Sequence, residues 1–275
     1  MAGFHWGIIR GQYRVIELCG VFECGVKVKI LIAVSTYNRP FITELCLANL
    51  NQARDEDIRI VVYDDFSTSY DEEALKKYAD EVVRFPTNAG IARSRAKAFR
   101  DFIYRFPDYD LLYLTDNDAL HDPCFPQVLR GLFTRMKSQG VVSPVGLFNS
   151  NAHNQEDNIF FENDVLYVSK SLPGISQCFD RELAGKIVDN LNESPVLEFM
   201  WAWDYNFIMS LGQSCLLSKV SYVEHFARDR FEGGLHAPCS GLGTDGLADF
   251  ERDRAINPTP YLVALREEVI KRILY

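Results

Sequence analysis

Long apolar runs are missing from this 275-residue chain. No stretch approaches the roughly 18 apolar residues that a membrane-spanning helix needs, so no transmembrane segment is expected and only peripheral membrane contact stays open. Even Val26 to Val34 is broken by Lys27 and Lys29. Residues 1–26 scatter His5, Arg10, Arg14, Glu17 and Glu23 among apolar positions and lack the continuous apolar stretch of a secretory signal. They are expected to form an N-terminal arm without an assigned role. An excess of positive charge is absent too: 29 Lys and Arg stand against 38 Asp and Glu, a net charge of −9. So acidic a chain is poorly suited to broad binding of nucleic acid. Paired cysteine motifs are lacking as well. The seven cysteines, Cys19, Cys24, Cys46, Cys124, Cys178, Cys215 and Cys239, are odd in number and include no CxxC. Neither a zinc site nor a disulfide framework is suggested, and reduced thiols point to a cytoplasmic protein. Internal repeats and low-complexity tracts do not occur.

What remains is an ordinary globular composition, 47% hydrophobic and 24% charged, long enough for one well-cored domain. From Lys27 to about Val145, short β-rich runs alternate with amphipathic stretches. Strands are expected at Lys29–Ser35, Ile58–Tyr63, Val82–Phe85, Asp110–Thr115 and Val141–Val145. Helices are expected at Phe41–Ala53, with Pro40 in its first turn, at Asp71–Asp80, and from Ile91, where Ala98, Phe99, Phe102, Ile103 and Phe106 recur at helical spacing. This alternation predicts an α/β fold, a mostly parallel sheet with helices on both faces. The second half is less regular. Asn149–Glu162 looks like a loop, Val165–Ser169 a strand, Asp180–Leu191 a helix, and Trp203–Leu211 another. A strand over Cys215–His225, a glycine-rich loop over Gly233–Gly246 and a helix over Thr259–Leu274 follow. The spacing supports a single domain over residues 27–275, with 27–145 and 146–275 as its two halves.

Four motifs fall where these strands end, which is where ligands gather in such folds. After the fourth strand stand Asp116-Asn117-Asp118, two carboxylates one residue apart that can reach a single Mg²⁺ or Mn²⁺. The same residues would also serve as an acidic turn. Asp64-Asp65 follow the second strand and can accept hydrogen bonds from a base or a ribose, or shape a turn in which Ser69 caps the next helix. Ser35-Thr36-Tyr37-Asn38-Arg39 follow the first strand, with hydroxyls suited to a diphosphate and Tyr37 to a base. Asn88 and Gly90 open the helix that carries Arg95, a guanidinium able to bind phosphate or carboxylate.

Taken together and in this order, the four stretches resemble the nucleotide-binding half of GT-A fold glycosyltransferases, especially family 2. The resemblance covers roughly Lys27 to Asp118. It implies a nucleotide-sugar donor, a UDP-sugar being commonest, held by Ser35, Thr36, Tyr37, Asn38, Arg39, Asp64, Asp65, Asn88, Gly90, Arg95, Asp116 and Asn117. Departures exist: Ser69 stands where a second acid is usual, and Ser94 and Ala96 flank Arg95 in place of Ala and Asn. The resemblance further implies an acid on the acceptor side. Phe199–Phe207 (FMWAWDYNF) offers Asp204 as general base, with Trp203 where Glu is common. That segment also looks like the tryptophan-rich stretch of family 7 galactosyltransferases. A histidine about twenty residues later, His225, is then expected to complete a Mn²⁺ or Mg²⁺ site with Asp116 and Asp118, with His236 as competitor. The glycine-rich loop from Phe231 to Asp245 would act as a lid. The implied reaction is single, inverting transfer to a hydroxyl of a glycan or other acceptor, since the QxxRW segment of processive synthases is missing. A retaining transferase, a sugar nucleotidyltransferase and a non-catalytic nucleotide-sugar binder are the alternatives.

Overall fold

The computed structural model of the protein describes residues 27–150, 159–162, 166–169, 171–195, 208, 211, 214–225 and 254–274. Four strands, β1 (Ile30–Thr36), β2 (Ile58–Asp64), β3 (Glu81–Arg84) and β4 (Leu111–Asp116), form the parallel half of a sheet in the order β3-β2-β1-β4. The registers Ile30↔Ile58 and Ile30↔Leu111 bring the ends of β1, β2 and β4 level, so the loops that follow them share one edge. Alternation along each strand decides the faces. Ile30, Ile32 and Val34 join Ile58, Ile60 and Val62 on one side, against α1 (Pro40–Gln52) and α4 (Phe125–Ser138). Leu31 and Ala33 join Val61 and Tyr63 on the other, against α3 (Ile91–Tyr104) and α5 (Arg181–Glu193). This is the expected α/β class: a central sheet with helices on both faces.

Beyond β4 the sheet changes character. β9 (Gln177–Asp180) runs antiparallel to β4, and β6 (Val145–Gly146), β10 (Cys215–Ser218), β8 (Leu166–Ser169) and β7 (Ile159–Glu162) follow, giving nine strands among the described residues. Several local expectations are revised. The fifth strand shrinks to Val145–Gly146, since Pro144 has no N–H to give a ladder. Cys215–His225 is two strands, not one: β10 stays in the main sheet, while β11 (Val223–His225) pairs with β5 (Ala119–His121) in a separate ribbon. Helix α4 and strand β9 were not expected, because Pro126 and Gly131 blur the helical pattern and QCFD has no clean alternation. The short α2 (Glu72–Lys76) is capped by Asp71, whose carboxylate accepts from Ala74 N at 2.9 Å, rather than by Ser69. The last helix, α6 (Pro260–Leu274), packs Leu262, Leu265 and Val269 on Ile42, Leu45, Cys46 and Leu120. No disulfide joins the cysteines among the described residues.

Candidate functional site

The loop after β1 is built by one side chain. Asn38, in the left-handed region at φ 51°, accepts from Thr68 N at 2.8 Å and Ser69 N at 3.1 Å through its side-chain oxygen. Its own N–H donates to Ser67 Oγ at 2.7 Å. The loops after β1 and β2 are thereby stitched together. Thr36 is buried and bonded to the Tyr70 hydroxyl, while Ser35 and Tyr37 are half-buried.

Both carboxylates after β2 are engaged within the protein. Asp64 is wholly buried, accepts from Ser67 N at 3.2 Å and from the Ser67 hydroxyl, and faces Arg84 Nε at 3.2 Å. Asp65 accepts from Ala89 N and Gly90 N, both at 2.8 Å, and so holds the loop before α3. Burial pushes its carboxyl up, and those two N–H groups counter part of the rise. Gly90, at φ 85°, supplies a turn that a side chain would strain, and Asn88 beside it is exposed.

Arg95 is 1% exposed, which excludes a simple solvated role. Its guanidinium donates to Asp116 Oδ1 at 2.7 Å, to Gly174 O at 2.6 Å and to Gln177 Oε1 at 3.2 Å. It therefore ties the end of β4 to the turn that precedes β9. Asn117 donates to Thr43 Oγ1 at 2.6 Å, and its N–H to Ser35 O at 3.1 Å.

Asp118 is where the site converges. Its Oδ2 accepts from Arg39 Nη1 at 2.9 Å and lies 3.5 Å from His225 Nε2. The cause is register: Asp118 immediately precedes β5, and β11 pairs with β5 so that His225 stands opposite Ala119. Burial acts to raise the Asp118 carboxyl, but His225 and Arg39 outweigh it and hold it at about 2. Asp116 is pushed up by burial, with Arg95 opposing and Asp118 adding to the rise. Among the described residues, no three His, Cys, Asp or Glu side chains close around one point. Asp118 approaches His225, while Asp116 engages Arg95.

The ribbon behind the site is anchored by residues to which sequence reasoning assigned no role. Asp122 accepts from Thr259 Oγ1 at 2.6 Å, and buried Glu224 accepts from Ala255 N at 3.0 Å and faces Arg266 at 3.7 Å. Acids bracketing His121 and His225 were visible in the chain, but their partners lie 31 to 137 residues away. Asp204, Trp201, Trp203, His236 and the Phe231–Asp245 loop lie outside the described residues.

A pentatricopeptide repeat-containing protein of Arabidopsis thaliana is 26% identical over 178 residues, 61% of this chain and 31% of that protein. The structure of S. aureus TarS superposes with a TM-score of 0.51 at 18% identity, covering 74% of this chain and 37% of TarS. TarS 1-349 in complex with UDP-GlcNAc gives 0.51 and 18%, covering 73% and 59%. The chain therefore spans less than two thirds of the length of each of these proteins, and the structural likeness speaks to the fold. The family model described as glycosyl transferase family 2 matches residues 31–179. That span is more than half of the sequence and contains β1 to β4 with all four strand-end motifs, so the chain belongs to glycosyl transferase family 2.

Proposed function

We propose that the chain moves a sugar from a nucleoside-diphosphate sugar, with UDP as the nucleotide, to a hydroxyl of a glycan or other acceptor, inverting the anomeric carbon. The observation that carries this reading is the gathering of Arg39, Asp116, Asp118 and His225 at the carboxyl end of β4. Support for UDP comes from TarS, whose 1-349 segment is known in complex with UDP-GlcNAc.

The donor set suits a hard divalent ion. Carboxylate and imidazole oxygen and nitrogen are ligands that Mn²⁺ accepts, and Asp118 Oδ2 and His225 Nε2 are near enough to share one ion. Asp116, Asp118 and His225 would hold Mn²⁺ or Mg²⁺, which when bound neutralises charge developing on the leaving diphosphate. The protein's own groups do the rest. Asn38 and Asp65 fix the two loops that frame the donor, while half-buried Ser35 and Tyr37 and exposed Asn88 are open to contact with it. Arg39, already beside Asp118, adds positive charge where phosphates arrive. Thr36, Asp64, Gly90, Arg95 and Asn117 hold these groups in place from within. Asp204 takes the proton of the acceptor hydroxyl as it attacks. Residues 27–145 serve the donor and 146–275 the acceptor within one domain.

The test is calorimetric titration with UDP, GDP, dTDP and CDP, with and without Mn²⁺. One nucleotide should bind in a Mn²⁺-dependent manner, and Asp118→Ala should abolish that binding. Asp204→Asn should bind the same nucleotide normally yet lose most of its transfer. Failure of every diphosphate to bind the unaltered chain would remove the donor site and the proposed reaction with it.

A further inference from the structure

Left-handed backbone is rare for residues other than glycine, and bulky side chains adopt it only where the surroundings impose it. Four such residues occur among the described positions: Asn38, Arg39, Phe66 and Asn257. The first three cluster on the stitched loops after β1 and β2. Asn and Arg there have evident local roles, in the loop bonds and the Asp118 contact. Phe66, at φ 64°, has none of that kind. A phenyl ring cannot hydrogen-bond its own turn, as the side chain of Asn does.

The side chain adds a second cost. Phe66 is 43% exposed, although a ring of its size gains most from full burial. Its neighbours are meanwhile held firmly. Phe66 N donates to Asp64 O at 2.9 Å, Asp65 clamps Ala89 and Gly90, and Ser67 bonds Asp64 and Asn38. The turn is therefore fixed on both sides of a ring that is left partly in water. Three of the six exposed large apolar side chains among the described residues, Phe41, Phe66 and Ile91, belong to the loops and helix starts at this one edge of the sheet. A strained, exposed ring on a rigid turn beside a ligand site has a use that neither stability nor packing supplies.

We propose that Phe66 is an aromatic platform on which the base of the donor nucleotide stacks. The inference rests on the donor-site reading above. Every nucleobase has a π-face, and stacking on an aromatic side chain contributes substantially to binding without needing hydrogen bonds. Tyr37 and Tyr70 are further aromatic rings on the paired loops. Phe66 makes this chain's contact with the base dependent on a ring, where a glycine would satisfy the same backbone at no strain.

The experiment measures UDP and inorganic pyrophosphate binding in the presence of Mn²⁺, for the full chain and for Phe66→Gly, Phe66→Leu and Phe66→Tyr. Phe66→Gly relieves the backbone and should melt at or above the temperature of the unaltered chain. It should nevertheless bind UDP roughly ten- to a hundredfold more weakly, with pyrophosphate affinity unchanged. Phe66→Tyr keeps a ring and should retain UDP affinity, whereas Phe66→Leu, strained like Phe but without a ring, should not. If the unaltered chain binds UDP and Phe66→Gly binds it equally well, the platform is overturned and the donor site stands. Equal losses for UDP and pyrophosphate would also overturn it, since the defect would then lie in loop geometry. If the unaltered chain binds neither ligand, the donor site itself falls, and Phe66 with it.

Discussion

At the scale of single residues, Asp118 Oδ2 stands 3.5 Å from His225 Nε2 and 2.9 Å from Arg39 Nη1. Arg95, able by its chemistry to bind phosphate or carboxylate, is buried and takes a carboxylate, Asp116, together with the Gly174 carbonyl. Asp64 and Asp65 are expected from sequence to face a ligand, yet their visible bonds are to backbone, hydroxyl and Arg84 groups of the chain itself. A carboxylate at a strand end reads the same in sequence whether it bonds a ligand or a neighbouring loop. His121 yields a prediction at this scale. It is fully buried beside the Tyr113 hydroxyl, 3.0 Å from Nε2, and burial lowers its imidazole from 6.5 to about 3. Between those values the unfolded chain binds a proton that the native chain refuses. Stability is therefore complete above about pH 6.5 and falls as pH drops toward 3. The expected slope from this group is about 1.4 kcal/mol per pH unit. Urea unfolding at neutral pH and near pH 5 should show it, and His121→Gln should remove this group's share of the slope.

At the scale of elements, β1 to β4 and the helices α1 to α3 were legible because the strands are short, near-continuous β-rich runs and α3 repeats its apolar residues at helical spacing. The ribbon of β5 and β11 was not, since three residues carry no period. Yet that ribbon is what brings His225 to Asp118. Helix α6 and the segment before it hold the ribbon from behind, through Thr259 to Asp122 and Arg266 to Glu224. Thr259→Val is isosteric but leaves a buried carboxylate oxygen without its donor. It should cost about 1–3 kcal/mol in urea unfolding and weaken Mn²⁺-dependent UDP binding as the ribbon loosens. Unchanged stability would show that α6 is held by its apolar face alone. A comparable device sits at the far end of α3. There Arg181 donates to the carbonyls of Phe102, Ile103, Phe106 and Tyr109, satisfying groups that the helix end leaves open.

At the scale of the whole molecule, the two halves read from the sequence share one sheet. β9 comes from the second half and pairs with β4 of the first, and Arg95 bonds across the same junction. Neither half can keep its ladder or its buried cation satisfied without the other. Residues 27–275 should therefore unfold in a single calorimetric transition, with van't Hoff and calorimetric enthalpies equal. Two separated transitions would divide the domain at the boundary near residue 145.

The sequence by itself determined the α/β class, the parallel half of the sheet and the four motifs at its carboxyl edge. These follow from local periodicity and from turn chemistry within a few residues of each strand. Only the tertiary structure decided the mixed half of the sheet beyond β4, the company of Arg39 at Asp118, and the strained exposure of Phe66. Those features depend on pairings between residues distant in the chain and on backbone angles set by neighbouring loops. The physical reason is that an ion pair or a left-handed turn is a property of the neighbours that enforce it, and neighbours in space are not written in the order of the chain.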